Sequence, residues 1–145
     1  MKNQLVELLE ALDGVEQDPV WHPEGDALFH SLQVYAIARA ETSDPELWAA
    51  ALLHDVGKGL PGPHEEEGVY LLQHVMPDRV LWLIRHHLDL MRQPNRTRRR
   101  LRGTQKLRDL EQLRRWDVKG RNPDAVVGTI DDAVQAILEV RRWQT

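Results

Sequence analysis

Leu5, Leu8, Leu9 and Leu12 recur at the spacing of a helix that buries one stripe, and Gly14 stands where such a helix stops. After a turn-like run from Gln17 to Asp26, apolar positions resume through Ala27, Leu28, Leu32, Val34, Tyr35, Ile37 and Ala38, predicting a second helix. Ser43 and Asp44 offer side-chain caps and Pro45 suits a first helical turn, so a third helix runs through Trp48 to about Val56. Gly57, Gly59, Pro61, Gly62 and Pro63 then make a tight loop. A fourth helix is expected from about His64 to Val75 and a fifth from Pro77 to about Leu90. Pro94 interrupts the chain before a basic helix over about Thr97 to Trp116. Gly120, Asn122 and Pro123 precede a last helix from about Asp124 to Trp143. No useful stretch alternates apolar and polar residues with the period of a strand. The pattern predicts a single all-α domain over residues 1–145, a bundle of about six to seven helices.

Composition narrows this further. A chain of 145 residues can bury one core but not two, and 41% apolar residues is the globular norm. No apolar run approaches the roughly 20 residues of a membrane span. Glu7 and Glu10 interrupt the N-terminal apolar pattern, which reads as an amphipathic helix and not as a signal peptide. The absence of cysteine excludes disulfides, thiol catalysis and thiolate metal ligands, and a cytoplasmic location is expected. The net charge of −4 hides an asymmetry, because Arg85 to Arg121 holds 13 Lys and Arg against four Asp and Glu. The Arg96–Arg102 region is either a solvated helix face or a place where RNA or another phosphate-rich partner docks.

Candidate chemistry concentrates in histidines and aspartates. His30 lies mid-helix on an apolar background, and His54-Asp55 ends the wholly apolar run Trp48–Leu53. A helix apolar on nearly all sides is a buried one, and two ionisable groups at its end are costly unless paired or metal-bound. His64 opens a helix after the glycine-proline loop, His86 and His87 sit near the end of another, and Asp117 follows Trp116. Imidazole and carboxylate ligands of this kind suit zinc, nickel, manganese, cobalt or iron. Each residue alone is ordinary, since a histidine in an apolar stripe is usually a core residue. His22, in a proline-rich turn, is expected to shape that turn, and His74 lies in a polar stripe; both are left outside the site. Trp48 and Trp82 fall on core faces, and none of the five tryptophans is assigned to stack on a base.

Taken together, His30, His54-Asp55 and Asp117 resemble the ligand pattern of the HD superfamily of metal-dependent phosphohydrolases. The stretches His22-Pro23-Glu24-Gly25-Asp26 with His30-Ser31-Leu32, Ala50–Gly59, and Asp117-Val118-Lys119-Gly120-Arg121 are similar to the HD domain of bacterial tRNA nucleotidyltransferases. The resemblance spans roughly Trp21 to Arg121, and a domain without the nucleotidyltransferase head is expected. It implies an HD-type helical bundle in which His30, His54, Asp55 and Asp117 ligate a first divalent transition metal ion. His64 and His87 match the positions that complete a second site, with Asp55 bridging. His87 fits that pattern better than His86, which stays open as the alternative.

The activity so implied is hydrolysis of phosphomonoesters or phosphodiesters through a metal-activated water. The leading substrates are 2′-nucleotides and 2′,3′-cyclic nucleotides. Lys58 would face the phosphate, with Arg121 and Arg85 as further substrate-binding candidates. Asp26, one turn before His30, is either an N-cap or a group that orients the His30 ring. Two other readings compete: an HD-type mixed-valence di-iron oxygenase, and a non-catalytic nucleotide- or RNA-binding module.

Overall fold

The computed structural model describes residues 1–139. Among them are nine α-helices: α1 Lys2–Glu10, α2 Ala27–Glu41, α3 Pro45–Leu53, α4 His64–Leu72, α5 Asp78–His86, α6 Asp89–Arg92, α7 Pro94–Leu101, α8 Gln105–Lys119 and α9 Ile130–Leu138. A 3₁₀ turn, Val56–Gly59, links α3 towards α4. The described residues contain no strand, so the class is all-α, with more helices than the six to seven expected. Two breaks account for the excess. Gly103, at φ +78, ends α7, and Thr104 restarts the chain as the cap of α8, its hydroxyl accepting from Leu107 N at 3.2 Å. The one basic helix expected over Thr97–Trp116 is therefore two. The fifth expected helix likewise stops at His86, and its tail forms the separate short α6. The last helix begins later than expected, at Ile130 behind the Thr129 cap, and its expected end at Trp143 lies outside the described residues.

α3 is the axis of the bundle. Asp44 caps it, accepting from Glu46 N at 3.0 Å, and Pro45 sits in its first turn as its fixed φ favours. Leu47, Leu52 and Leu53 are buried, and Ala49, Ala50 and Ala51 let α2, α5, α8 and α9 pack close around it. α1 lies on α9 and closes the core with Leu5, Leu9 and Leu12. Arg79 on α5 ties three elements together, meeting Asp44 at 2.8 Å, Glu46 at 3.0 Å and the buried Asp109 of α8 at 3.0 Å. The outcome of this packing is that the C-terminal end of α3 opens towards the middle of α2 and the end of α8. No helix among the described residues is long and apolar enough to cross a membrane.

Candidate metal centre

Three histidines share one construction. His54 caps the C-terminus of α3, and its Nδ1–H donates to Ala51 O at 2.8 Å. His30, mid-α2, donates from Nδ1 to Gly120 O at 2.7 Å across 90 residues of chain. His87, at the end of α5, donates from Nδ1 to Ile84 O at 2.6 Å. A backbone carbonyl can only accept, so in each ring the proton is fixed on Nδ1 and the Nε2 lone pair faces the other way. The glycine at position 120 is required for the His30 bond: a Cβ there would lie 2.6 Å from Val34 Cγ2.

Those lone pairs converge on carboxylates. His30 Nε2 is 2.8 Å from Asp117 Oδ1 and 3.8 Å from Asp55 Oδ2. His54 Nε2 is 3.2 Å from Asp55 Oδ2 and 3.5 Å from Asp117 Oδ1, and it is buried without a hydrogen-bond partner. The other Asp55 oxygen turns towards a second pair, 3.4 Å from His64 Nε2 and 3.6 Å from His87 Nε2, which lie 3.3 Å apart. Neutral imidazole acceptors aimed at carboxylate acceptors repel unless a cation lies between them. The donor set therefore fits a divalent metal ion, with His30, His54, Asp117 and one Asp55 oxygen on one side. His64, His87 and the other Asp55 oxygen stand on the second side. His30–His54–Asp117 and His54–Asp55–His87 each bring three ligand atoms within 4.8 Å of one another.

Titration follows the same logic. Burial disfavours a charge on His54, but the Asp55 and Asp117 carboxylates overcome it and raise the pKa to about 10. Burial alone would push Asp55 and Asp117 up, yet the histidines beside them hold both well below the usual carboxylate range. Without a metal, a proton is the cation that balances this cluster. His64 goes the other way, to about 4, driven by burial and by neighbouring His87 and Lys58 against the pull of Asp55.

The cluster forms part of the wall of a cavity of about 920 Å³, which also receives Lys58, Arg92, Arg114 and Arg121. Lys58 Nζ reaches Asp55 Oδ2 at 3.2 Å and donates to Gln17 Oε1. Arg114 and Arg121 approach Asp117 at 3.8 and 4.0 Å. His86 turns away, bonded to Asp89 Oδ2 at 2.8 Å with its ring near Trp82, so of the two adjacent histidines it is His87 that reaches the cluster.

Two expectations need correction, and one choice left open, the cap or the ring-orienting role of Asp26, falls to the cap. Asp26 does not orient the His30 ring: its carboxylate accepts from Phe29 N at 2.8 Å and Gly14 N at 3.0 Å, and Gly120 O holds the ring instead. Arg85 falls on the outer side of α5, pairs with Glu66 at 3.5 Å, and is not among the residues lining the cavity. His22, set aside as a turn residue, packs its ring 5.0 Å from that of His30 and lines the cavity. Its Nδ1 donates to Glu24 Oε1 at 3.0 Å; burial, His30 and Lys58 lower its pKa to about 4. Glu24 and Arg114 also went unrecognised in the sequence. The available signals were a carboxylate two residues after His22, and an arginine one helical turn before Asp117.

The HD domain family matches residues 28–122, about two thirds of the chain, and the chain belongs to that family. It is also similar to the multifunctional CCA protein of Halorhodospira halophila, 45% identical over 75 residues, which is 46% of this chain and 18% of that protein. The multifunctional CCA protein of Nitrosococcus oceani is 46% identical over 57 residues, 39% of this chain and 14% of its own. That of Methylococcus capsulatus is 47% identical over 55 residues, 38% and 13% respectively. The chain thus spans less than a fifth of the length of these relatives.

Proposed function

We propose that the protein is a metal-dependent phosphohydrolase acting on phosphomonoesters or phosphodiesters of nucleotides, with 2′-nucleotides and 2′,3′-cyclic nucleotides as the leading substrates. The observation that carries this reading is the convergence of three Nδ1-anchored imidazoles and two carboxylates beside a cavity rich in cationic side chains. A bound divalent ion supplies a hydroxide nucleophile near neutral pH and neutralises phosphoryl oxygens. His30, His54, Asp55 and Asp117 would hold one such ion, and His64 and His87 with Asp55 would hold a second. Lys58, kept beside Asp55 by Gln17, presents its ammonium to the phosphoryl group and balances the charge that grows there. Arg121 and Arg114 reach the same wall from the far side of Asp117 and position a phosphate by paired N–H donors. The membership in the HD domain family supports this chemistry, and the CCA relatives favour a nucleotide or RNA partner over a simple sugar phosphate.

The test is a panel of phosphatase and phosphodiesterase substrates run with the chelated protein and with manganese, nickel, cobalt, zinc or iron restored one at a time. Hydrolysis is expected to vanish on chelation and return with at least one metal. Turnover indifferent to chelator would overturn the proposal. Binding of RNA that weakens steeply with salt, without any turnover, would point to the binding-module reading.

A further inference from the structure

Trp21 and His22 are neighbours in the turn that leads into α2, and the mechanism above uses neither. That turn is fixed: Val20 N donates to Asp18 Oδ1 at 2.9 Å, His22 N donates to Asp18 O at 2.7 Å, and Gly25 adopts φ +108. Both side chains line the cavity of the metal centre. Trp21 is 65% exposed, so its ring is open to a ligand entering the cavity. Eight large apolar residues are exposed among the described residues, and Trp21, Met91 and Val118 all line this one cavity. At about 920 Å³ the space is at the upper end of the range that small organic ligands fill, and a bare phosphate would leave most of it empty.

His22 adds a polar handle. Its Nδ1–H is taken by Glu24, whose side chain is 0% exposed, so the ring cannot swing freely. Its Nε2 makes no hydrogen bond within the described residues and is not sealed in, because the side chain keeps 14% exposure and faces the cavity. With the proton on Nδ1, Nε2 is an acceptor. It sits beside the His30 ring, hence next to where the phosphate is handled, and it seeks a donor there.

Resting on the phosphohydrolase reading, we infer that the Trp21–His22 turn recognises nucleoside 2′-phosphates: the base stacks on Trp21, and the free 3′-hydroxyl beside the phosphate ester donates to His22 Nε2. A planar ring and a vicinal hydroxyl are the two features that separate a nucleoside 2′-phosphate from its 3′-deoxy analogue and from a baseless phosphate.

Three substrates separate the two contacts: adenosine 2′-monophosphate has base and hydroxyl, its 3′-deoxy analogue only the base, and glycerol 2-phosphate only the hydroxyl. The wild-type protein, loaded with its activating metal, is expected to prefer the first over the second by about five- to tenfold in kcat/KM, the worth of one neutral hydrogen bond. It should prefer the first over the third by about tenfold or more, chiefly in KM, the worth of one stacked base. His22→Phe should collapse the first ratio, with His22→Gln restoring part of it, and Trp21→Ala should collapse the second. Tyr70→Ala, an exposed residue away from the cavity, should leave both ratios as in wild type. Wild-type ratios near one, or ratios unmoved in the variants, overturn the inference. If wild type hydrolyses neither these three nor 2′,3′-cyclic adenosine monophosphate with any metal, the phosphohydrolase reading fails instead. The same ratios then read by calorimetric binding of the three compounds still decide the role of the turn.

Discussion

Gly57→Ala adds one methyl group where the 3₁₀ turn meets the start of α4, and its consequence can be followed to the metal centre. A Cβ on residue 57 would lie 2.0 Å from His64 O, 2.7 Å from Gly68 N and 2.8 Å from His64 C, all backbone atoms with no rotamer to yield. Ordinary contact begins near 3.4 Å, so the turn and the helix must separate by about 1.4 Å. The displacement falls on His64, whose Nε2 now sits 3.4 Å from Asp55 Oδ1. Metal–ligand distances tolerate roughly 0.2 Å, so His64 should drop out of the second ligand set. His30 and His54 should stay, because Gly120 O and Ala51 O anchor them on other elements. The overpacking should cost about 1–3 kcal/mol, which leaves a folded protein. Elemental analysis is expected to find one tightly held ion per chain in place of two, and kcat should fall about 100-fold, as for a displacement of about 1 Å at a reacting centre. A Gly57→Ala protein with full metal content, full rate and unchanged melting would refute the claim that this close approach places His64.

Lys58→Ala should keep the metal yet lose about 100- to 1000-fold in kcat, and loss of metal instead would show that Lys58 supports the ligands and not the substrate. The metal-free protein should lose stability as pH rises. The His54 pKa is about 10 in the fold against an ordinary 6.5, so the stability due to its proton is complete below pH 6.5 and disappears as pH climbs towards 10. The gain in melting temperature on adding manganese or nickel should therefore widen from pH 6.5 to 9, and a gain that shrinks would contradict the proton-for-metal exchange. Arg79→Met should cost about 3 kcal/mol in urea unfolding, because Asp109 is left buried without its cation; Arg79→Met with Asp109→Asn should recover much of that loss, and additive losses would refute the pairing.

The helices were legible wherever one apolar stripe and a capping residue agreed. Leu5, Leu9 and Leu12 are buried together, and Asp44-Pro45 opens α3 where its chemistry says it should. The break at Gly103 was not, because a glycine between basic residues looks like any exposed helical position until the chain takes a positive φ there. The same limit applies at the centre. His54-Asp55 stood out because two ionisable groups end an apolar helix, a local contradiction visible in one dimension. The carbonyls of Ala51, Ile84 and Gly120, which set the direction of the His54, His87 and His30 rings, carry no mark in the sequence. His22 and Glu24 were missed for a related reason: a proline-rich turn reads as punctuation, and only the fold shows that it leans on His30. Arg85, a substrate-binding candidate by its charge, lies on the outer face of α5, and of the two roles open to Asp26 the fold uses the cap.

Anomalous X-ray scattering from crystals grown with manganese, nickel or zinc addresses the metal centre most directly. A peak is expected about 2.0–2.2 Å from the Nε2 atoms of His30 and His54 and from oxygens of Asp55 and Asp117, with a second beside His64 and His87. Peaks only elsewhere on the surface, with His54 Nε2 still facing the two carboxylates unbridged, would contradict the account.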